Sequence, residues 1–398
     1  MADAVQGRQQ GGGGPSLTDL IKRSAELKGQ LVAFGQSARF DRWLTPLLLQ
    51  AAGPERQLDE GEAIRLMDHF ILRYRLPDGS SVVDRFVAGR KDLTAVDREM
   101  LLGWRDPVEG IFEIQCKEGD AVVLLNLVDD LEYRTYSNAG PAAFRGVSKG
   151  SFLHTCLVPV HSAGGPWLVS GAMSSYPKSS AREIAQAAIG LATSQPELVF
   201  RNPVKIEQGW QQMRQDRAAF VEFCGGDELV LLPAEAEDLL NAYYRHRQEA
   251  ALARQPDRAR GRRAGSDLRF FELPRELADS DSIGVIYDEV DGLNFYADYG
   301  MLRELFVEPA LAGRRHQDLL RTYLREESIA PLPIRRLAAA HPQTVDAVFR
   351  KLLRKPGFTW TEHGEALMRR RKPWYYANEP RPGVSVIGDR LSVLAVGR

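Results

Sequence analysis

Residues 110–136 read GIFEIQCKEGDAVVLLNLVDDLEYRTY, and here the hydrophobic period changes from that of helices to that of strands. Phe112, Ile114 and Cys116 alternate with Glu113 and Gln115; Leu131, Tyr133 and Thr135 alternate with Glu132, Arg134 and Tyr136. A period of two places the two sets on opposite faces of a pleated strand. Between them Ala121 to Leu125 is a continuous apolar run. Two more strands, Phe152 to Val160 and Trp167 to Val169, are joined through His161-Ser-Ala-Gly-Gly-Pro166. Five short strands in so little chain predict a small β-barrel of OB or SH3-like size over 107–176, whose closure removes exposed edges. His154 alternates with Phe152 and Cys156, which places it in the barrel interior with one hydrogen-bond partner.

Upstream the period is helical. Leu17, Leu20, Ile21, Leu27 and Leu31 follow helical spacing behind a Ser16/Asp19 capping box, and Ile64, Met67 and Ile71 share a face. Thr94 with Asp97 forms a second box before Met100, Leu101 and Trp104. Residues 16–106 therefore read as a helical domain behind a flexible, glycine-rich tail, 1–15. Downstream, Ser180 with Glu183 reads as a third box ahead of Ile184, Ala187, Ala188 and Leu191. It opens a helical connector, 177–251, containing a β-hairpin of Phe220 to Phe223 and Glu228 to Leu232 around Cys224-Gly-Gly-Asp227. Residues 252–267, with five arginines and two glycines, read as an Arg-rich linker. The last unit, 268–398, begins with a hairpin, Ile283 to Tyr287 and Leu293 to Tyr296 about Asp291-Gly292. Helices follow near 298–307, 314–325, 334–340, 342–354 and 362–371. The fold class expected is α+β.

At 398 residues the chain is too long for one ordinary domain. Its net charge of -1 excludes polyelectrolyte binding by the chain as a whole, so an electrostatic function needs local segregation of charge. Three cysteines without a C-x-x-C pair give neither a disulfide framework nor a thiolate zinc site. With no membrane-length apolar run and no signal-peptide pattern, a cytoplasmic protein without membrane contact is expected. No phosphate loop, dinucleotide fingerprint or paired-histidine metal motif is present, so no cofactor is expected and enzymatic activity is unsupported. Residues 146–150, GVSKG, match the serine-nucleophile pattern, but a strand follows where that elbow needs a helix, so Ser148 is rejected.

Charge segregates in the last third. Residues 276–309 hold nine acids and one base, and residues 331–376 hold ten Lys or Arg and three acids. With Val345, Val348, Phe349 and Leu352 as the core stripe of a helix, Arg350, Lys351 and Arg354 fall on its solvent side, and Lys355 extends it. Arg369, Arg370 and Arg371 follow at a helix end before Trp374 and Tyr375. Cations interleaved with aromatics suit phosphates and stacked bases. These nine residues are the candidate nucleic-acid contacts of a non-enzymatic accessory protein whose partner is RNA or DNA. A protein-interaction scaffold is the alternative. A metal-dependent hydrolase centred on Asp288 and Asp291 comes third, since two carboxylates at a turn could share a hard cation.

Arg85-Phe86, Gly110-Ile-Phe-Glu-Ile, Cys156-Leu-Val-Pro-Val160, Trp167-Leu-Val-Ser-Gly171, Lys372-Pro-Trp-Tyr375 and Asp389-Arg390-Leu391 together resemble uncharacterised bacterial multidomain proteins over about half the chain. Some of these carry a cysteine-histidine zinc hook of the SEC-C type. The hook has no counterpart here, so its metal and partner-binding role do not carry over. The resemblance implies a bacterial, cytosolic accessory protein and supplies no reaction.

Overall fold

The computed structural model describes residues 15–53, 58–161, 165–253 and 269–396. Most of the expected tail and Arg-rich linker lie outside these residues. Helix outweighs strand, 54% to 16%, and the fold is mixed α+β. The chain forms two compact units, one comprising residues to Lys205 with those from Ser385 onward, the other Ile206–Val384.

The first unit opens with α1 (Leu17–Gly35), α2 (Asp41–Ala52), α3 (Glu60–Leu72), α4 (Val82–Gly89) and α5 (Ala95–Gly103). Side-chain caps start four of them. The Ser16/Asp19 and Thr94/Asp97 boxes form as expected, and Asp59/Glu62 and Ser81/Asp84 form two more. Each satisfies otherwise orphaned N–H groups of a first turn.

Next come β1 (Val108–Glu118), β2 (Ala121–Asn126), β3 (Glu132–Tyr136), β4 (Phe152–Pro159) and β5 (Trp167–Tyr176). They are hydrogen-bonded in the order β1-β2-β3-β5-β4, and β4 pairs back onto β1, so the sheet closes on itself. Gly119, at φ +62, makes the two-residue turn between β1 and β2. Val108, Phe112, Ile114, Leu124, Leu153 and Leu157 belong to one apolar core, while Val158, Val160 and Leu168 pack with the helices.

His154 corrects the sequence expectation. Leu153 and Leu157 take the inner face of β4, leaving His154 and Cys156 on the outer face, where they line a small cavity with Arg65, Asp68, Arg73 and Glu109. Its roughly 20 Å³ suffices for one water. Burial keeps the His154 pKa below the ordinary imidazole range and pushes the Cys156 thiol up to about 12, so neither is poised as an ionised catalyst. Beside them Lys28 Nζ lies 2.8 Å from Asp68 Oδ1, and Ser170 Oγ donates to Asp68 Oδ2 at 2.7 Å. This buried cluster joins α1, α3 and β5. The carboxylate packs directly over Gly171, where a Cβ would sit 2.5 Å from Asp68 Oδ2.

The β2–β3 turn buries Asp129 completely. Its carboxylate accepts from Tyr133 Oη at 2.5 Å, Asn126 Nδ2 at 2.9 Å and Leu131 N at 2.9 Å. Burial outweighs these bonds and raises its pKa to about 6. Between pH ~4 and ~6 the folded chain therefore holds a proton that the unfolded chain releases. Asp129's contribution to stability is expected to fall by about 2–3 kcal/mol as pH rises through that window. Carboxyl NMR should show a midpoint near 6, and Asp129→Asn should abolish this component of the pH slope. A midpoint near 4 would refute the assignment.

Helices α6 (Ala181–Ser194) and α7 (Pro196–Val199) complete this unit with α16 (Asp389–Val396), which packs on α6. Ser180 does not cap α6. It closes a 3₁₀ turn at φ -82, ψ 8, not the extended backbone an N-cap needs, and its side chain makes no capping bond.

α8 (Pro203–Cys224) leads into the second unit, followed by β6 (Glu228–Leu231) and α9 (Pro233–Ala253). The expected hairpin at 220–232 is absent. Phe220 and Phe223 belong to α8, and β6 pairs antiparallel with β7 (Ile283–Asp288), far along the chain. α10 (Arg275–Ala278) precedes β7, and β8 (Gly292–Ala297) completes a sheet ordered β6-β7-β8. Asp288 pairs with Gly292, so the β7–β8 turn is 289–291, with Gly292 at φ +72, rather than a two-residue Asp291-Gly292 turn. A buried cluster including Phe220, Leu240, Tyr243, Ile283 and Val285 joins α8 and α9 to β7. Ile286, Tyr296 and Tyr299 join the core of α11 (Tyr299–Val307), α12 (Arg314–Arg325), α13 (Leu332–Ala340), α14 (Val345–Leu353) and α15 (Trp360–Arg371). Among the described residues no helix is long and apolar enough to cross a membrane.

Candidate functional site

The candidate basic residues lie along α14, the turn after it, and α15. Val345, Val348 and Phe349 are buried as the core stripe of α14. At its C-terminus Arg354 takes the left-handed conformation, φ +54, and both Arg354 N and Lys355 N donate to Arg350 O. This ends the helix in the way glycine usually does. Asp346 then orders the start of α15, accepting from Trp360 N at 2.7 Å through Oδ1 and from Arg350 at 3.1 Å through Oδ2. Arg350 Nε donates to Phe358 O at 2.8 Å. Arg350 thus ties the turn down.

Other cations also have internal partners. Lys351 Nζ reaches Ala312 O at 3.4 Å, and Arg369 pairs with Glu365 at 3.1 Å while lying 4.6 Å over the Tyr376 ring. Lys372 is wholly buried and donates to Glu326 O beyond the end of α12, where a cation meets the negative end of the helix dipole. Arg354, Lys355, Arg370 and Arg371 have no side-chain hydrogen bond or ion pair among the described residues.

Three of these four share one cleft. Residues 353–358 form one wall, and His363, Ala366, Leu367 and Arg370 of α15 form the other. Spacings of three and four residues put the second set on one helix face. The cavity is about 440 Å³, and its lining holds Arg354, Lys355 and Arg370 but no carboxylate. Leu353, Pro356 and Ala366 contribute apolar surface over buried Phe358 and Leu367, and the Phe358 and His363 rings lie 5.4 Å apart.

The aromatic candidates are separate from this lining. Trp374 is 41% exposed and meets Tyr375 edge-on at 5.7 Å. Tyr375 Oη donates to Asp291 Oδ1 at 2.9 Å, and burial with that carboxylate raises its pKa above the phenol range.

Asp288 and Asp291 are engaged with different groups. Asp288 Oδ2 accepts from Arg336 at 3.3 Å, while Oδ1 accepts from Val290 N and Asp291 N. Asp291 is bonded to Tyr375, and burial raises its pKa. Among the described residues no three metal-binding side chains come together. The other acids of 276–309 mostly pair outside the basic segment: Asp279 with Arg275, Asp281 with Arg315, Glu289 with Arg217 and Glu304 with His316. Among the described residues Arg336–Asp288 is the only ion pair between the acidic and basic segments. The basic segment is thus met mainly by other acids, Arg336 by Asp227 and Glu228 as well, Arg350 by Asp346 and Arg369 by Glu365, while Arg354, Lys355, Arg370 and Arg371 keep their charge.

No protein-family model, no curated protein and no solved structure matches the chain.

Proposed function

We propose that the second unit binds nucleic acid, with Arg354, Lys355 and Arg370 contacting phosphate and Arg371 and Trp374 as outlying contacts, in a protein with a non-enzymatic accessory role. The carrying observation is the cleft: three unpaired cations and no acid, in a chain of net charge -1. Cations held together without counter-charge repel one another, and a phosphate-bearing ligand relieves that repulsion. The remaining candidates support the site indirectly: Arg350 and Lys351 fix the wall from which Arg354 and Lys355 project.

Arg354 strengthens the reading. A non-glycine residue in the left-handed region costs about 1 kcal/mol relative to glycine, so arginine at this position stands at a cost to local stability. Arg354→Gly is expected to raise unfolding stability by up to ~1 kcal/mol while weakening binding of a fluorescent single-stranded oligonucleotide. Anisotropy titration and urea unfolding of the same preparation check both. A stabilised variant that binds as tightly as wild type would remove Arg354 from the site, and no oligonucleotide binding by wild type would end the proposal.

A further inference from the structure

We infer that the 353–370 cleft receives a single phosphomonoester-bearing nucleotide, either the phosphorylated end of a strand or a free nucleotide. This inference rests on the proposed nucleic-acid reading and narrows it. The cavity, about 440 Å³, has the volume of a small-molecule pocket, whereas a groove tracking a polynucleotide needs a longer row of cations. That row is interrupted. Arg350 and Arg369 are held by carboxylates, Lys351 by a backbone carbonyl, and Lys372 is buried.

The positive charge is therefore concentrated, with Arg354 and Lys355 on one wall and Arg370 on the other. A phosphomonoester carries close to two negative charges at neutral pH, a diester only one, so three cations without a counter-acid favour the terminal group. Each guanidinium can grip two phosphate oxygens, while the lysine acts as a point charge. The half-exposed His363 ring, backed by buried Phe358, and the exposed Pro356 and Ala366 offer the base a wall to pack against.

The test compares one fluorescent oligoribonucleotide in 5′-phosphate, 3′-phosphate and hydroxyl-ended forms, with a nucleoside 5′-monophosphate and its nucleoside as competitors. One phosphorylated end is expected to bind at least tenfold more tightly than the hydroxyl-ended strand. That advantage should disappear in Arg370→Gln and Arg354→Gly and persist in Arg314→Gln, a 95% exposed arginine outside the cleft. Competition by the monophosphate but not the nucleoside supports the same pocket. Binding of the monophosphate without any strand identifies a free nucleotide as the ligand and overturns polymer binding. Equal, salt-sensitive binding of all three strands overturns the terminal pocket and leaves the nucleic-acid reading standing. No binding of any probe overturns both.

Discussion

Arg336→Ala is expected to destabilise the second unit by about 3 kcal/mol. The side chain is 21% exposed and lies 3.2 Å from Asp227, 3.5 Å from Glu228 and 3.3 Å from Asp288. It binds three carboxylates contributed by the turn before β6, by β6 itself and by the end of β7. Truncation leaves them facing one another; among the described residues Arg217 is the one cation still paired with any of the three, at Asp227, and Glu228 keeps its bond from Tyr299 Oη. The loss corresponds to a midpoint ~6–12 °C lower for a unit of this size. The pH dependence identifies the cause. Burial opposes ionisation of Asp227, yet the Arg336 and Arg217 guanidiniums prevail and hold its pKa below the usual range. A depressed carboxylate pKa gives stability that is present above pH ~4 and lost as pH falls. The gap between wild type and Arg336→Ala should therefore hold from pH 7 to about pH 4 and narrow as pH falls below ~4 in urea unfolding. A gap that is constant with pH would mean that packing, not charge, is what Arg336 supplies.

Reversing both guanidiniums of the cleft, Arg354→Glu with Arg370→Glu, is expected to weaken oligonucleotide binding by about 100-fold, or ~2.7 kcal/mol. Two attractions are lost, and two carboxylates are placed where phosphate would sit. Neither wild-type side chain has a protein partner among the described residues to lose, so unfolding stability should change by less than ~1 kcal/mol. Arg350→Glu would be a poor substitute test, because it also breaks the bonds to Asp346 and Phe358 O.

The helices of the C-terminal region were legible because their apolar stripes are regular. The expected spans 298–307 and 314–325 meet α11 and α12 closely, and Val345, Val348 and Phe349 of the α14 stripe are buried as their spacing predicts, with Leu352 half-buried. The alternation at Phe112–Cys116 also marks a strand. Alternation cannot say which face of β4 is inward when helices cover the outside too, and His154 was misplaced for that reason. Phe220–Phe223 is a short apolar run at the end of an otherwise polar helix, and its local pattern does not separate strand from helix. The sorting of the basic residues was illegible for a different reason. Arg336 meets Asp227 from 109 residues away, Tyr375 meets Asp291 from 84, and Lys372 meets Glu326 from 46. Only tertiary structure separates these bound side chains from Arg354, Lys355 and Arg370. One clue was local: Arg354 follows Leu353 at the end of the α14 stripe, where a helix terminator is expected and glycine is missing.

The most direct test is the salt dependence of binding to a single-stranded oligoribonucleotide, for wild type and for Arg354→Gly/Lys355→Gln/Arg370→Gln. Loss of the three phosphate-facing cations predicts that the slope of log affinity against log salt is shallower by about 1–2 in the variant. Equal slopes for the two proteins, or wild-type binding indifferent to salt, would contradict a phosphate-binding cleft.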